Sequence, residues 1–331
     1  MTRQSSPGLL AARLPAAVVG SRVGRVARGA QAVLGTLLLG MMLASVISGC
    51  EDEFMNPAAS TTKPKPSMRP ARDLVDLSGL QTIDLEFRLR ANGMPFDCDT
   101  DAVELGSAAT AVRLMDARLF ISELSLRDTD GKEQNVVLQP DDAYQQSKVA
   151  LLDFEDASAQ CLDGDPDMHS VLHVAVPEGT YRGLTFTVGV PEALNHADPL
   201  VAWPPLDRLA MHWAWVDGYR FLRVEVMRQD DVPLSVHLGS VDCDVTDKAT
   251  TCDRSNRPAV ELAEFDPETD AVAVDLSALF EGSDLTMDSA GCVAGASDDT
   301  VCAPIFAALG LDADSGSADA ARQAVFSSEP R

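Results

Sequence analysis

Residues 32–47 (AVLGTLLLGMMLASVI) form an uncharged apolar run that ends on Ile47-Ser48-Gly49-Cys50, and this junction constrains everything after it. The run is short for a membrane span, which takes about 20 residues. It follows an acid-free stretch carrying Arg3, Arg13, Arg22, Arg25 and Arg28. Cationic residues, an apolar centre and small residues at the exit make an export signal. The Ile-Ser-Gly-Cys ending resembles a bacterial lipobox, whose cysteine is acylated and becomes the first mature residue. Residues 1–49 are expected to be a lipoprotein signal peptide, with Cys50 the lipidated residue. The mature chain is then exported and lipid-anchored, on the periplasmic side or the cell surface of a Gram-negative-type bacterium.

An oxidising compartment changes how the remaining cysteines are read. Setting Cys50 aside leaves Cys98, Cys161, Cys243, Cys252, Cys292 and Cys302, an even number that suits disulfides. Six cysteines permit many connectivities. The simplest closes two short loops, Cys243–Cys252 and Cys292–Cys302, and one long loop, Cys98–Cys161. On the chain-entropy account each short loop contributes about 2–3 kcal/mol. No CxxC spacing occurs, so a thiolate metal site is disfavoured.

Residues 50–80 begin acidic (Glu51, Asp52, Glu53) and continue with Pro57, Pro64, Pro66 and Pro70 among serine, threonine and lysine. With little apolar surface to bury, they are expected to be a flexible tether. From Thr82 the pattern has period two. In TIDLEFRLR, Ile83, Leu85, Phe87 and Leu89 share one face, and Asp84, Glu86, Arg88 and Arg90 the other. Further strands are expected over residues 118–126, 136–138, 149–154, 171–176, 180–190, 219–227, 232–238 and 271–276, with Asp130-Gly131 as a hairpin turn. Helical periodicity is confined to short pieces near residues 191–195 and 276–280. The expectation is an all-β fold, an antiparallel β-sandwich with long loops stapled by disulfides, over residues 81–311. Residues 312–331 are small and polar and are expected to be a disordered tail.

The chain holds 26 lysines and arginines against 51 aspartates and glutamates. Five of the arginines fall in the signal, which leaves a strongly anionic mature protein. Binding to a phosphate backbone is excluded as its main activity, since that affinity rests on clustered cations. A cation or a basic partner remains compatible. No nucleophile elbow, zinc-protease helix, P-loop or dinucleotide fingerprint occurs, and no acid–base pair is legible, so an enzyme is not expected. The acid-rich loops at Asp97-Cys98-Asp99-Thr100-Asp101 and Asp163-Gly164-Asp165-Pro166-Asp167 do not complete an EF-hand pattern and read as solvated surface.

Attention falls on five histidines (His169, His173, His196, His212, His237) and three tryptophans (Trp203, Trp213, Trp215). His237 lies in VPLSVHL on the polar face, opposite Val232, Leu234, Val236 and Leu238. His196 follows the turn residues Pro191 and Glu192 and taken alone is a loop histidine. In Met211-His212-Trp213-Ala214-Trp215, an extended backbone puts both tryptophans on one face, as plain aromatic core packing also would. Two imidazoles and a third donor make an open site for copper or zinc, between which spacing does not choose.

Several motifs in order resemble the MbnP family, the four-Cys-motif proteins of a metallo-mystery pair system. They are Leu151-Leu152-Asp153-Phe154-Glu155-Asp156, Gly189-Val190-Pro191-Glu192-Ala193-Leu194-Asn195-His196-Ala197-Asp198, Met211-His212-Trp213-Ala214-Trp215, Gly218-Tyr219-Arg220-Phe221-Leu222-Arg223 and His237-Leu238-Gly239-Ser240. Asn256-Arg257-Pro258, Phe265-Asp266-Pro267, Gly291-Cys292 and Cys302 fit as well. The similarity runs over residues 82–311.

The resemblance implies a periplasmic or surface lipoprotein that binds copper and acts in copper acquisition or handling. One tryptophan is oxidised to kynurenine by a dihaem cytochrome c peroxidase-like partner, an MbnH-like protein. Carried onto this chain, the ligands are His196, His237 and the kynurenine formed from Trp213 or Trp215, with Trp215 favoured. His212 receives no role. The chemistry is coherent, because indole is an electron-rich side chain and opening its pyrrole ring creates an aniline nitrogen beside a ketone. Nitrogen donors of this kind favour copper over magnesium or calcium. Asp198 or Glu225 would orient a ligand imidazole. The competing expectations are a metal-free surface adhesion or scaffold lipoprotein with an acidic β-sandwich, and a copper enzyme.

Overall fold

A computed structural model describes residues 76–162, 164–214, 216–245, 250–287, 291–293 and 301–331. Cys50 and Trp215, two of the expected functional residues, lie outside the described residues.

The alternation after Thr82 becomes the strand Leu80–Ala91, which buries Leu85, Phe87 and Leu89 and turns Asp84, Glu86 and Arg88 outward. It pairs antiparallel with Val171–Pro177 and parallel with Asp270–Asp275, at the centre of one sheet. The second sheet is built on Thr110–Asp128, a 19-residue strand. Tyr181–Val188 pairs along one edge of that strand and Leu222–Arg228 along the other, and Pro233–Leu238 continues beyond Leu222–Arg228. The expected hairpin at Gly131 is present, with strand Glu133–Asn135 returning along residues 125–127. The two sheets meet across an apolar core. Phe87 of the first touches Phe186 of the second edge-on at 5.7 Å, and Phe186 meets Phe326 of the first at 5.4 Å. This is the β-sandwich expected from the alternation.

Three features depart from expectation. The sandwich is not wholly antiparallel: Asp270–Asp275 runs parallel to Leu80–Ala91, and Gly291–Val293 parallel to Pro233–Leu238. Parallel neighbours need a long crossover, and both pairs are separated by enough chain to make one. At the second of them only glycine fits. Gly291 has φ +108°, and a Cβ there would stand 1.9 Å from the Ser235 carbonyl oxygen. Residues 312–331 do not form a disordered tail. They end in the strand Phe326–Pro330, paired antiparallel with Asp270–Asp275, and Val325 and Phe326 are buried. Arg88 and Arg90 bond Glu329 on its outer face. Finally, Cys302–Ala308 is a helix, burying Cys302, Ile305 and Phe306.

All three disulfides join the cysteines as the simplest connectivity requires: Cys98–Cys161, Cys243–Cys252 and Cys292–Cys302. Cys243 and Cys252 face each other across the hairpin Val241–Val245 and Thr250–Arg254.

One polar cluster sits inside the second sheet. Arg118 bonds Asp116 at 2.9 Å and faces Glu155 at 3.6 Å, while Asp153 is buried beside them. Burial pushes the Asp153 carboxyl up to about 8, although the Arg118 guanidinium opposes it. The folded protein therefore carries a proton here that the unfolded chain releases near its ordinary value of 3.8. Between those two values the folded state binds more protons, so this group's contribution to stability falls as pH rises and is gone above the upper one. Thermal melts of the wild type and Asp153→Asn should diverge across this window, with the wild type losing at least ~1 kcal/mol more. Parallel pH profiles would mean that Asp153 is ionised throughout.

Candidate metal centre

A tight hairpin carries the tryptophan motif. Trp213 N–H donates to the Gly218 carbonyl at 3.0 Å, Arg220 N–H to Met211 at 2.8 Å, and Gly218 N–H closes the turn onto Ala214 at 2.8 Å. Tyr219 anchors it. Its ring is fully buried, its hydroxyl donates to the Leu206 carbonyl at 2.5 Å, and its N–H donates to Asn195 Oδ1 at 3.0 Å. Asn195 ends the short helix Glu192–Asn195, and His196 follows as its C-cap. The Asn195 amide also donates to Ser240 Oγ at 3.3 Å. A buried asparagine thus ties together the three segments that carry His196, Trp213 and His237.

Trp213 packs so close to Gly239 that a Cβ there would stand 2.5 Å from its Cζ3. Its ring centroid is 6.4 Å from that of His237, with the planes inclined at 56°. The Arg220 guanidinium stands 5.1 Å over the same indole. The structure therefore brings Trp213 and His237 together.

His237 is oriented by an acid. Its Nε2 is 2.7 Å from Glu225 Oε1, which also accepts from Arg223 Nε at 2.9 Å; Arg223 in turn reaches Asp116 at 3.2 Å. Burial alone would raise the Glu225 carboxyl, but the bonds from His237 and Arg223 outweigh it and hold it down at about 2. A carboxylate on one imidazole nitrogen leaves the other, Nδ1, for a metal and raises its basicity. Of the two acids expected to orient a ligand, Glu225 is the one bonded to it. Asp198 instead accepts the Leu200 N–H at 3.0 Å and closes a turn.

His196 occupies different surroundings. Its Nε2 is 3.3 Å from the Asn195 amide nitrogen and 3.4 Å from Cys252 Sγ. Donor atoms of His196, Cys243 and Cys252 all lie within 4.8 Å of one another. The two sulfurs, however, are bonded to each other. A disulfide has no thiolate to offer, so His196 is the donor this cluster provides.

The feature the motifs did not assign is His212. Its Nδ1 is 3.1 Å from the Trp213 carbonyl oxygen, and its Nε2 is buried with no hydrogen-bond partner among the described residues. The ring stands edge-on to Tyr219 at 4.8 Å. Burial lowers its pKa, and the hydrogen bond to the Trp213 carbonyl opposes that shift without cancelling it. Nothing in the linear sequence marks which of its nitrogens is left unpaired. A cleft of about 540 Å³ opens beside it, lined by His212, Trp213, Asp217, Arg220 and Ser240. The other two histidines make their own contacts: His173 bonds Asp84 at 2.7 Å, and His169 stacks on Tyr144.

A borderline or soft cation fits this donor set. It offers imidazoles, one with an unpartnered buried nitrogen, and among the described residues no cluster of carboxylates of the kind that holds calcium or magnesium lies beside them.

The MbnP family model matches residues 80–294 of the chain. The solved structure of MbnP from Methylosinus trichosporium is similar to it, with a TM-score of 0.68 and 33% sequence identity, over 76% of this chain and 99% of that one. No curated protein matches.

Proposed function

This chain belongs to the MbnP family, a family linked to metal handling, and on that premise we propose that it is an exported, lipid-anchored copper-binding protein. It acts in copper acquisition or handling and binds its cargo rather than transforming a substrate. The copper would be held by His196, His237 and a kynurenine formed from Trp213 or Trp215; electrons pass from the indole through a dihaem peroxidase-like partner to peroxide, water supplies the new oxygen, and the excised ring carbon leaves as formate.

The observation that carries this reading is the Trp213 ring set against His237, with Asn195 tying the His196 segment to the same strand end. Ring opening at this position places an aniline nitrogen beside an imidazole whose other nitrogen Glu225 already holds. The partner recognises an anionic protein, and the acidic surface supplies the complementary charge for a basic docking face.

The test is the mass of the peptide spanning residues 211–220, from protein produced with and without the haem partner. With the partner, one indole should have lost a ring carbon and gained an oxygen, and copper binding should rise with the modified fraction. An unmodified peptide in protein that binds copper fully would overturn the kynurenine. Absence of copper binding from both preparations would overturn the whole reading.

A further inference from the structure

Two of the three disulfides belong to the apolar core. Cys98, Cys161, Cys292 and Cys302 are buried among the residues that hold the sheets together. Cys243 and Cys252 are half-buried instead, and the hairpin they join, Val241–Val245 with Thr250–Arg254, is a two-stranded sheet outside both sheets of the sandwich. An exposed disulfide is reached by reductants and has a more oxidising potential than a buried one, so this bond is the first to open. Opening it breaks no contact between the two main sheets.

The bond faces a metal-binding side chain. His196 Nε2 stands 3.4 Å from Cys252 Sγ, and donor atoms of His196, Cys243 and Cys252 all lie within 4.8 Å of one another. That imidazole nitrogen carries a lone pair. Asn195 accepts the Tyr219 N–H through Oδ1, which fixes the other end of its side chain as the amide nitrogen. An amide nitrogen only donates, and it meets His196 Nε2 at 3.3 Å. The spacing suits an ion. A tetrahedral metal about 2.3 Å from sulfur and about 2.0 Å from imidazole nitrogen sets those two donors about 3.6 Å apart, close to the separation already present. It sets two sulfurs about 3.8 Å apart. Cys243 and Cys252 are directly opposed across the hairpin and reach that separation by side-chain rotation once their bond is broken.

We propose that Cys243, Cys252 and His196 form a redox-gated site for a thiophilic cation of the Cu(I) or Zn(II) kind, closed as the disulfide and opened by a dithiol reductant. The dithiol gives two electrons and two protons to the Cys243–Cys252 bond and becomes a disulfide itself, leaving two thiols on the protein. The cation then displaces both thiol protons and binds the two Sγ atoms and His196 Nε2. Thiolate and imidazole donors select such ions over calcium and magnesium. The site goes beyond the copper reading above and does not need it, since no tryptophan, kynurenine or haem partner takes part. Where both hold, they share His196, and filling the thiolate site withdraws a ligand from the copper centre.

The experiment uses the full-length protein, produced without the haem partner, freed of metal and held in thiol redox buffers of decreasing potential. Free thiols are tagged with N-ethylmaleimide and located by peptide mass. Cys243 and Cys252 should be tagged at potentials where the other four cysteines stay paired. Cd(II) is then titrated anaerobically into the selectively reduced protein, because thiolate ligation gives a near-ultraviolet charge-transfer absorption that imidazole ligation does not. The absorption should saturate at one equivalent, with two protons released. It should be absent from the oxidised protein and from reduced protein blocked with N-ethylmaleimide. His196→Gln should weaken Cd(II) binding by about tenfold or more. Cadmium–nitrogen coupling in NMR of the wild type reads the histidine donor without a variant.

Opening of a core disulfide before Cys243–Cys252, or absence of the charge-transfer absorption at one equivalent, would overturn the site. Unchanged affinity in His196→Gln, with no coupling from cadmium to an imidazole nitrogen, would overturn it as well. None of these outcomes bears on the copper reading, whose test is the mass of the tryptophan peptide.

Discussion

Replacing His196 and His237 together by alanine is expected to abolish copper binding and leave the domain folded. Neither residue belongs to the apolar core: His196 caps a one-turn helix and His237 projects from the outer face of an edge-side strand. The double variant therefore removes donors without opening a cavity between the sheets. Glu225 loses one of its two partners but keeps Arg223. Changes in the groups that merely orient a ligand commonly weaken metal binding by about 10–100-fold, so loss of two ligands should exceed about 100-fold. Copper stoichiometry after dialysis and a thermal melt measure the two halves of this statement. Full stoichiometry in the double variant would place the metal elsewhere on the molecule.

The largest effect on stability is expected from Phe186→Ala. Phe186 is the side chain through which the sheets grip each other, edge-on to Phe87 and to Phe326 within one buried cluster. Truncating a buried phenylalanine costs about 3–5 kcal/mol, from lost transfer energy and the cavity left behind. For a domain of this size that amounts to a fall in Tm of about 10 °C. Thr185→Ala, one position along and turned to the other face of the strand, is the control and should move Tm far less. Equal effects of the two would mean that Phe186 does not bridge the sheets.

The two faces of the sandwich were legible where a strand is half buried. From Ile83 to Ala91 every second residue is apolar, and from Leu85 onward each of these is buried. The C-terminal strand was not legible for the converse reason. Its outward residues are Ser327, Ser328 and Glu329, and only Phe326 and the preceding Val325 reach the core, so the segment has the composition of a loose end. What orders it is remote in sequence: a partner strand at residues 270–275 and the arginines at 88 and 90. The helix Cys302–Ala308 was overlooked although its buried residues are spaced three and four apart, because it is only two turns long. At the candidate metal centre, the polar face of the His237 strand was visible from alternation, as was Glu225 as an acid able to orient a histidine. The unpaired nitrogen of His212 was not visible, since it depends on which backbone carbonyl the other nitrogen meets.

The closing strand Phe326–Pro330 also decides how this protein behaves when it is cut. It covers the outer edge of Asp270–Asp275, whose Ala271, Val272, Ala273 and Val274 are all buried. A chain stopped before residue 326 would present those four apolar residues on a bare ladder of amides and carbonyls, ready to recruit the same edge of a second molecule. Loss of the last few residues by proteolysis would thus turn a paired sheet edge into a self-templating one.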